Sequence, residues 1–298
     1  MALRPIDNAL PTTTPERTKK QVKISVPIQK QPDFGVNDEN KAPMPPSSDA
    51  AIDYISSENL EAITDPESKL QGLIEGLDSK DWTKVCESLN NARRFALYHS
   101  SLLVPILEKV MVVVVKAMKN PRSALCKTSI MAASDIFNAF GDKLLDETNS
   151  AAFDNMLLQL LLKASQDKKF VCEEADRTLN AMVGFITPLP LLHKLKASVS
   201  HNNLRIRAKA AMSISNCVSK MGLGEMKEFG LVSLVQMSAE LLKDRLPDAR
   251  EAARSTVISM YNAFTENEEQ KQEAWQCFCQ SSLPPIDAQS VLKITASQ

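Results

Sequence analysis

Glycine and aromatic residues are scarce in this chain of 298 residues, which has 8 glycines and 5% Phe, Trp and Tyr. Enzymes built on parallel sheets need glycine-rich turns around their ligand crevice, so this composition argues against an α/β enzyme. Good helix formers dominate after about residue 67. With 44% hydrophobic residues, the chain has enough apolar material for one elongated helical core.

Long apolar runs are also missing, because no run reaches the ~18 residues that a transmembrane helix needs. The densest run, Val110–Val115, lies between Lys109 and Lys116. The first residues, Met1–Pro5, lack the apolar core of a signal peptide. We therefore predict an intracellular, soluble protein with no membrane partner.

The six cysteines form no pattern that is typical of a disulfide framework or a metal site. Cys277 and Cys279 form a C-x-C pair, but no second pair or histidine cluster lies nearby, so we predict neither a metal nor another cofactor. The formal net charge of −1 gives no electrostatic reason to expect a nucleic-acid partner. The other cysteines are dispersed over predicted helices, where a reduced thiol packs as a small core residue: Cys86, Cys126, Cys172 and Cys217.

Composition divides the chain into a tail, a linker, a domain and a second tail. Residues 1–50 carry half of the 16 prolines and few clustered aliphatics, so we predict a disordered tail there. A linker with a short helix is predicted at 51–66, and one helical domain at 67–280. Residues 281–298, which contain Pro284 and Pro285, are predicted to form a loose C-terminal tail.

A polar corner that leads directly into a helix recurs along the domain. In its clearest copy, residues 201–212, the corner is followed by Ile206, Ala210 and Ile214 on one helical face. The equivalent aliphatic residues of four copies are about 35 to 46 residues apart, close to the ~40–47 of helix-pair repeats. The sequence therefore predicts an all-α solenoid of helix pairs, with its polar corners stacked along one edge.

The predicted helices follow from apolar periodicity and from breaker residues. A short helix is expected at 53–63, and the later helices are expected in pairs. The predicted ranges are 66–77 with 82–96, 101–118 with 122–140, 151–164 with 170–185, 188–199 with 205–221, 226–243 with 248–264, and a last helix at 267–280.

The corners carry basic and amide groups, and together these predict a basic stripe that could steer an acidic partner. A merely solvated polar edge is the alternative, and for Trp82, at a helix start, burial in the core is the alternative. Arg207 and Arg250 are predicted to have structural roles, pairing with acidic corner residues. The histidines share no plausible geometry with a nucleophile, so no catalytic residue is predicted.

These corners resemble those of the TOG domain, a paddle of six helix pairs, and the likeness is nearest to the Crescerin and CLASP type. It covers about residues 67–265. The residues that carry it are Asp78–Trp82, Lys119–Ser123, Lys169–Asp176 and His201–Arg207. The second corner departs from the family, because Arg122 and Ser123 stand where an aliphatic residue is expected.

The resemblance implies a HEAT/armadillo-type α-solenoid that binds αβ-tubulin or microtubules through the corner edge, without catalysis, in the cytoplasmic cytoskeleton. It does not fix the oligomeric state. A HEAT or armadillo scaffold that binds another protein along its helix faces is the alternative. The residues that would contact tubulin are Lys80, Trp82, Lys119, Arg122, Ser123, Lys168, Lys169, Asn203, Arg205, Lys243 and Arg245.

Overall fold

The computed structural model describes residues 54–296, and within this range every regular element is helical. The predicted tail at 1–50 lies outside the described residues. None of the helices in the described range is long and apolar enough to cross a membrane. The α-helices are α1 Pro66–Leu77, α2 Trp82–Tyr98, α3 Ser100–Leu103, α4 Leu107–Met118, α5 Ser123–Phe140, α6 Glu147–Ala164, α7 Lys169–Phe185, α8 Pro188–Lys196, α9 Leu204–Val218, α10 Leu223–Phe229, α11 Leu231–Leu241, α12 Pro247–Phe264, α13 Lys271–Ser282 and α14 Pro285–Thr295.

The helices pack as successive antiparallel pairs, and the second helix of each pair contacts the second helix of the next pair. This layer runs α2, α5, α7, α9, α12 and α14. The first helices α1, α4, α6, α8, α11 and α13 lie against their own partners. The core lies between the two layers, where Leu89, Ile136 and Phe153 are fully buried. The predicted all-α solenoid is confirmed.

Two helices that were predicted as continuous are interrupted. The predicted helix 101–118 is divided into α3, a 3₁₀ turn at Val104–Ile106 and α4, because Pro105 has no amide hydrogen to donate. The predicted helix 226–243 is divided into α10 and α11 at Gly230, whose φ of 103° is outside the helical region.

The predicted helix at 53–63 begins outside the described residues, and within 54–63 it is wrong in all but a 3₁₀ turn at Ser57–Asn59. Side chains of α2 bind the carbonyl groups of this segment: Arg93 Nη1 donates to Ile55 O at 2.8 Å, and Tyr98 Oη donates to Leu60 O at 2.6 Å. Leu60 itself is buried. The segment is therefore a strap that α2 holds at two carbonyl groups through long-range hydrogen bonds.

The prediction of a loose tail at 281–298 is also wrong, because α14 forms there and packs against α12. Pro285 occupies the first helical turn, where its missing amide hydrogen costs nothing. Ala288, Val291 and Thr295 are buried at helical spacing. The last predicted helix, 267–280, is displaced and forms α13.

Candidate functional site

Five loops join the first and second helices of the first five pairs, and each of these loops contains or adjoins residues that were predicted to bind a partner. We name as the corner rim the residues of these loops and the helix starts that follow them. The corners are 78–82, 119–123, 165–170, 201–205 and 242–246.

The first two corners contact each other through Trp82 and Arg122. Asp81 caps α2, since its Oδ1 accepts from the Thr83 amide at 3.0 Å, and hydrogen bonds from Thr83 lower the pKa of the Asp81 carboxyl. Trp82 is the first residue of α2; it is half-buried against the core and lies under a cation. The guanidinium carbon of Arg122 is 5.0 Å from the centroid of the Trp82 ring, within the range of a cation–π contact.

Hydrogen bonds join the second corner to the third, and the third corner to the fourth. Lys168 Nζ donates to Ser123 Oγ at 3.1 Å. Arg205 Nη1 donates to Asp167 Oδ1 at 2.6 Å and to Ser165 O at 3.2 Å. Asn203 caps α9 by accepting from the Arg205 amide at 2.9 Å, so its side-chain oxygen has a structural role.

Arg207, in the first turn of α9, connects the fourth corner to the fifth. Its Nε donates to Asp244 Oδ2 at 2.8 Å, and its Nη1 donates to His201 O at 2.9 Å. Arg250 Nη1 donates to the carbonyls of Asp244 and Arg245 at 2.8 and 2.9 Å. The predicted structural roles of both arginines agree with these contacts, although Arg250 binds carbonyl groups rather than a carboxylate.

The electrostatics of Asp244 follow from its position beneath Arg207. Burial alone would raise the pKa of this carboxyl, but the Leu246 amide and the Arg207 guanidinium outweigh burial, and the pKa is lowered. Because each corner contacts the next one, the five corners lie side by side along one edge, as the repeat pattern predicted.

The cations of the rim differ in how they are paired. Within residues 54–296, Lys80, Lys119 and Arg245 are exposed and form no ion pair. Lys169 approaches only Glu173, at 3.8 Å, and is 88% exposed. Lys243 instead pairs with Asp287 on α14 at 2.9 Å, and this hydrogen bond raises the pKa of Lys243.

Phe170 belongs to the rim but was not among the predicted site residues. It is 43% exposed in the first turn of α7, next to Lys169. The sequence could have indicated this exposure. Phe170 stands one residue before Val171, where the buried stripe of Val171 and Ala175 begins, and therefore lies off that stripe. An aromatic residue off the buried face of a helix has no core to fill, so Phe170 is available for contact with a partner.

Potential metal ligands are scattered over the described residues, and the thiols of Cys86, Cys217 and Cys279 are buried. Within 54–296, no group of three His, Cys, Asp or Glu residues could hold a metal ion. Burial raises the pKa of the Cys86 thiol to about 11 and those of Cys217 and Cys279 to about 12. These three thiols stay protonated near neutral pH and are poor nucleophiles.

Comparisons with known proteins agree on one fold family. The CLASP N-terminal family model matches residues 95–276. The mouse protein TOG array regulator of axonemal microtubules protein 1 is 28% identical over 207 residues, which are 69% of this chain and 11% of that protein. The chain thus spans about a tenth of the length of this curated relative.

Solved structures at low sequence identity share the fold. The Zyg9 TOG domain of C. elegans superposes with a TM-score of 0.57 at 17% identity, over 82% of this chain and 91% of that one. The structure described as "TOG-tubulin binding specificity promotes microtubule dynamics and mitotic spindle formation" gives a TM-score of 0.53 at 16% identity, over 68% and 80%. Since the family match covers more than half of the chain, the protein belongs to the CLASP N-terminal family and contains a TOG domain.

Proposed function

We propose that this chain binds αβ-tubulin, as the free heterodimer or within microtubules, through the corner rim, and that it modulates microtubule dynamics or organisation without catalysis. The observation that carries the proposal is the arrangement of the rim. A half-buried tryptophan lies under a guanidinium at one end, and exposed cations follow over successive corners.

The chemistry of the rim fits a large acidic protein surface. Tryptophan and arginine are enriched among residues that dominate binding energy, because they bury a large flat area and can still donate hydrogen bonds. Exposed lysines and arginines accelerate encounter with an acidic partner and fix its orientation. Trp82 and Phe170 would supply the apolar contact, and the unpaired cations Lys80, Lys119 and Arg245 would supply the charge.

The names of related proteins support this partner. The mouse relative is described as a regulator of axonemal microtubules, and one similar solved structure concerns TOG–tubulin binding specificity. Our proposal therefore places this protein on the microtubule cytoskeleton. A single rim of five corners suits one tubulin heterodimer, so an effect on polymer growth would come from occupying that heterodimer.

All predicted site residues lie on the rim, but they would contribute unequally. The residues with exposed and uncommitted side chains would contact tubulin directly, whereas Asn203, Arg205 and Lys243 are already engaged within the domain. Lys168 and Ser123 bind each other and would present their remaining hydrogen-bonding capacity.

The test is binding of the full chain to purified αβ-tubulin, measured by gel filtration and by titration at two salt concentrations. The triple variant Lys119→Glu, Lys169→Glu and Arg245→Glu reverses three rim charges and should abolish co-elution. The matched control reverses three exposed lysines outside the corners, Lys143, Lys227 and Lys271, and should bind like the unmodified chain.

Equal binding by both triple variants would overturn the rim as the site. Absence of tubulin binding by the unmodified chain would overturn the function. Binding that persists at high salt would point to a scaffold that uses its helix faces, because contacts between exposed charges weaken as ionic strength rises.

A further inference from the structure

The second corner departs from the TOG pattern by placing Arg122 where an aliphatic residue is expected, and the structure shows where this arginine goes. Its guanidinium carbon lies 5.0 Å from the centre of the Trp82 ring, across two successive repeats. Within residues 54–296 it forms no ion pair with a carboxylate. Trp82 is therefore the group that Arg122 contacts.

The backbone of Arg122 is fixed on both sides. Its amide donates to Asn120 Oδ1 at 2.9 Å, and its carbonyl accepts from the Cys126 amide at 3.0 Å. Pro121 precedes it and limits the conformations of this corner. The backbone of Arg122 is therefore already ordered, so its side chain can contact the first corner without further loss of backbone conformational entropy.

Trp82 needs such support because only part of its ring packs on the core. Its backbone is held by the Asp81 cap, but the exposed part of the indole faces solvent at the first position of α2. A planar guanidinium stacks on an aromatic ring and is less strongly hydrated than an ammonium group. Arg122 can therefore restrict the rotation of the indole, and lysine could not do so equally well.

We infer that Arg122 is a positioning residue that holds the Trp82 indole in its binding orientation, so that the two side chains act as one recognition element. A guanidinium that lies over an aromatic ring keeps its N–H donors at its own edges. The pair thus offers hydrogen-bond donors beside the part of the indole that Arg122 leaves uncovered. It fits a partner surface on which a carboxylate lies beside a flat apolar patch, and this inference rests on tubulin as the proposed partner.

A measurement on the free chain tests the positioning without tubulin. The chain has 2 tryptophans, and Trp275 is fully buried, so quenching of fluorescence by acrylamide reports chiefly on Trp82. Arg122→Lys keeps the charge, and Arg122→Met keeps an unbranched apolar side chain without the charge and without the guanidinium. Both variants should raise the quenching constant about twofold, because each removes the planar stack. Lys119→Met, a neighbouring rim variant that does not touch Trp82, should leave the quenching constant unchanged.

Tubulin binding then tests whether the orientation matters. Arg122→Lys should weaken binding about threefold despite its retained charge, because the strongly hydrated ammonium holds the indole less firmly than the planar guanidinium does. In a chain that also carries Trp82→Ala, Arg122→Lys should weaken binding by a smaller factor than it does in the unmodified chain. Circular dichroism should show unchanged helicity in every variant.

Distinct results would overturn the inference. Unchanged quenching in Arg122→Lys and Arg122→Met would show that Arg122 does not hold the indole. Normal tubulin affinity of Arg122→Lys would show that only its charge matters, and tighter binding of Arg122→Met would show that Arg122 obstructs Trp82. If the unmodified chain fails to bind tubulin, the proposed function fails, while the quenching measurements still decide whether Arg122 positions Trp82.

Discussion

The first three corners and the last two corners of the rim use their basic residues differently. In the first three, Lys80 and Lys119 are exposed and form no ion pair among the described residues, and Arg122 lies over an aromatic ring. Lys169 is 88% exposed and approaches only Glu173 of its own helix, at 3.8 Å. In the last two, the basic residues mostly bind carboxylates of the same domain: Arg205 to Asp167, Arg207 to Asp244, and Lys243 to Asp287.

The two parts also differ in where their structural ion pair lies. In the first part, Arg93 Nε contacts Asp135 Oδ2 at 2.6 Å beneath the helices, and both side chains are almost fully buried. In the second part, the ion pair between Arg207 and Asp244, at 2.8 Å, lies at the rim itself. A basic residue near a corner therefore indicates a binding site only when the domain does not use it for its own stability.

The largest expected effect concerns the buried pair of the first part. Arg93→Ala should lower the free energy of unfolding by about 3–5 kcal/mol, because the buried Asp135 would lose its charged partner and keep only the hydrogen bond from the Ser57 hydroxyl. Urea denaturation followed by circular dichroism measures this change. Arg94→Ala, at the neighbouring and less buried position, is the matched control, and an equal loss in both variants would contradict the structural role of Arg93.

Removing the aromatic group of the first corner should have the next largest effect. Trp82→Ala should weaken tubulin binding by about 2 kcal/mol or more if Trp82 is an interface hot spot, while helicity stays near normal. Phe185→Ala, which truncates an exposed aromatic residue outside the corners, should bind tubulin normally. Unfolding of the first repeat by Trp82→Ala would instead assign the indole to the core.

Neutralising basic residues in each part separately tests the difference between them. Replacing Lys80, Lys119 and Lys169 by Gln should weaken tubulin binding about tenfold at low salt, and less at high salt. Replacing Arg205 and Lys243 by Gln should weaken it less than about threefold, since both are paired within the domain. Titration at two salt concentrations measures both effects, and equal losses would contradict the difference.

The smallest effect is the pH dependence contributed by Asp244. Its pKa in the folded protein is lowered from 3.8, so its contribution to stability is present above that pH and is lost as the pH falls through the lower folded value. The difference in unfolding free energy between the unmodified chain and Asp244→Asn should therefore shrink below pH 3.8. Urea denaturation over a pH series measures this difference, and a constant value would contradict the lowered pKa.

Much of the fold could be predicted because its signals are local. The cap at Asp81 and the end of α5 at Gly141, whose φ is 49°, follow from short-range chemistry. The strap at residues 54–63 could not be predicted in this way, since its carbonyls bind Arg93 and Tyr98 of α2. The helix α14 was missed because Pro284 and Pro285 were interpreted as the sign of a tail rather than as a helix start.

The positions of the candidate site residues could be predicted from the sequence, but the role of each residue could not. Basic corner residues were recognised from repeat spacing, but Phe170 was overlooked although it stands one residue before a buried stripe. Asn203 was interpreted as a contact residue, whereas its side chain caps α9. A polar residue before a helix suits capping and binding equally well, so the sequence pattern does not separate the two roles.

The sequence by itself determined the first five helix pairs and the position of each corner, because apolar periodicity and caps act within a few residues. Only the tertiary structure decided which rim cations remain unpaired, since their partners are far along the chain. Arg205 reaches Asp167 across 38 positions, Arg207 reaches Asp244 across 37, and Lys243 reaches Asp287 across 44. Such pairs form only when successive repeats stack, and stacking is a property of the folded solenoid.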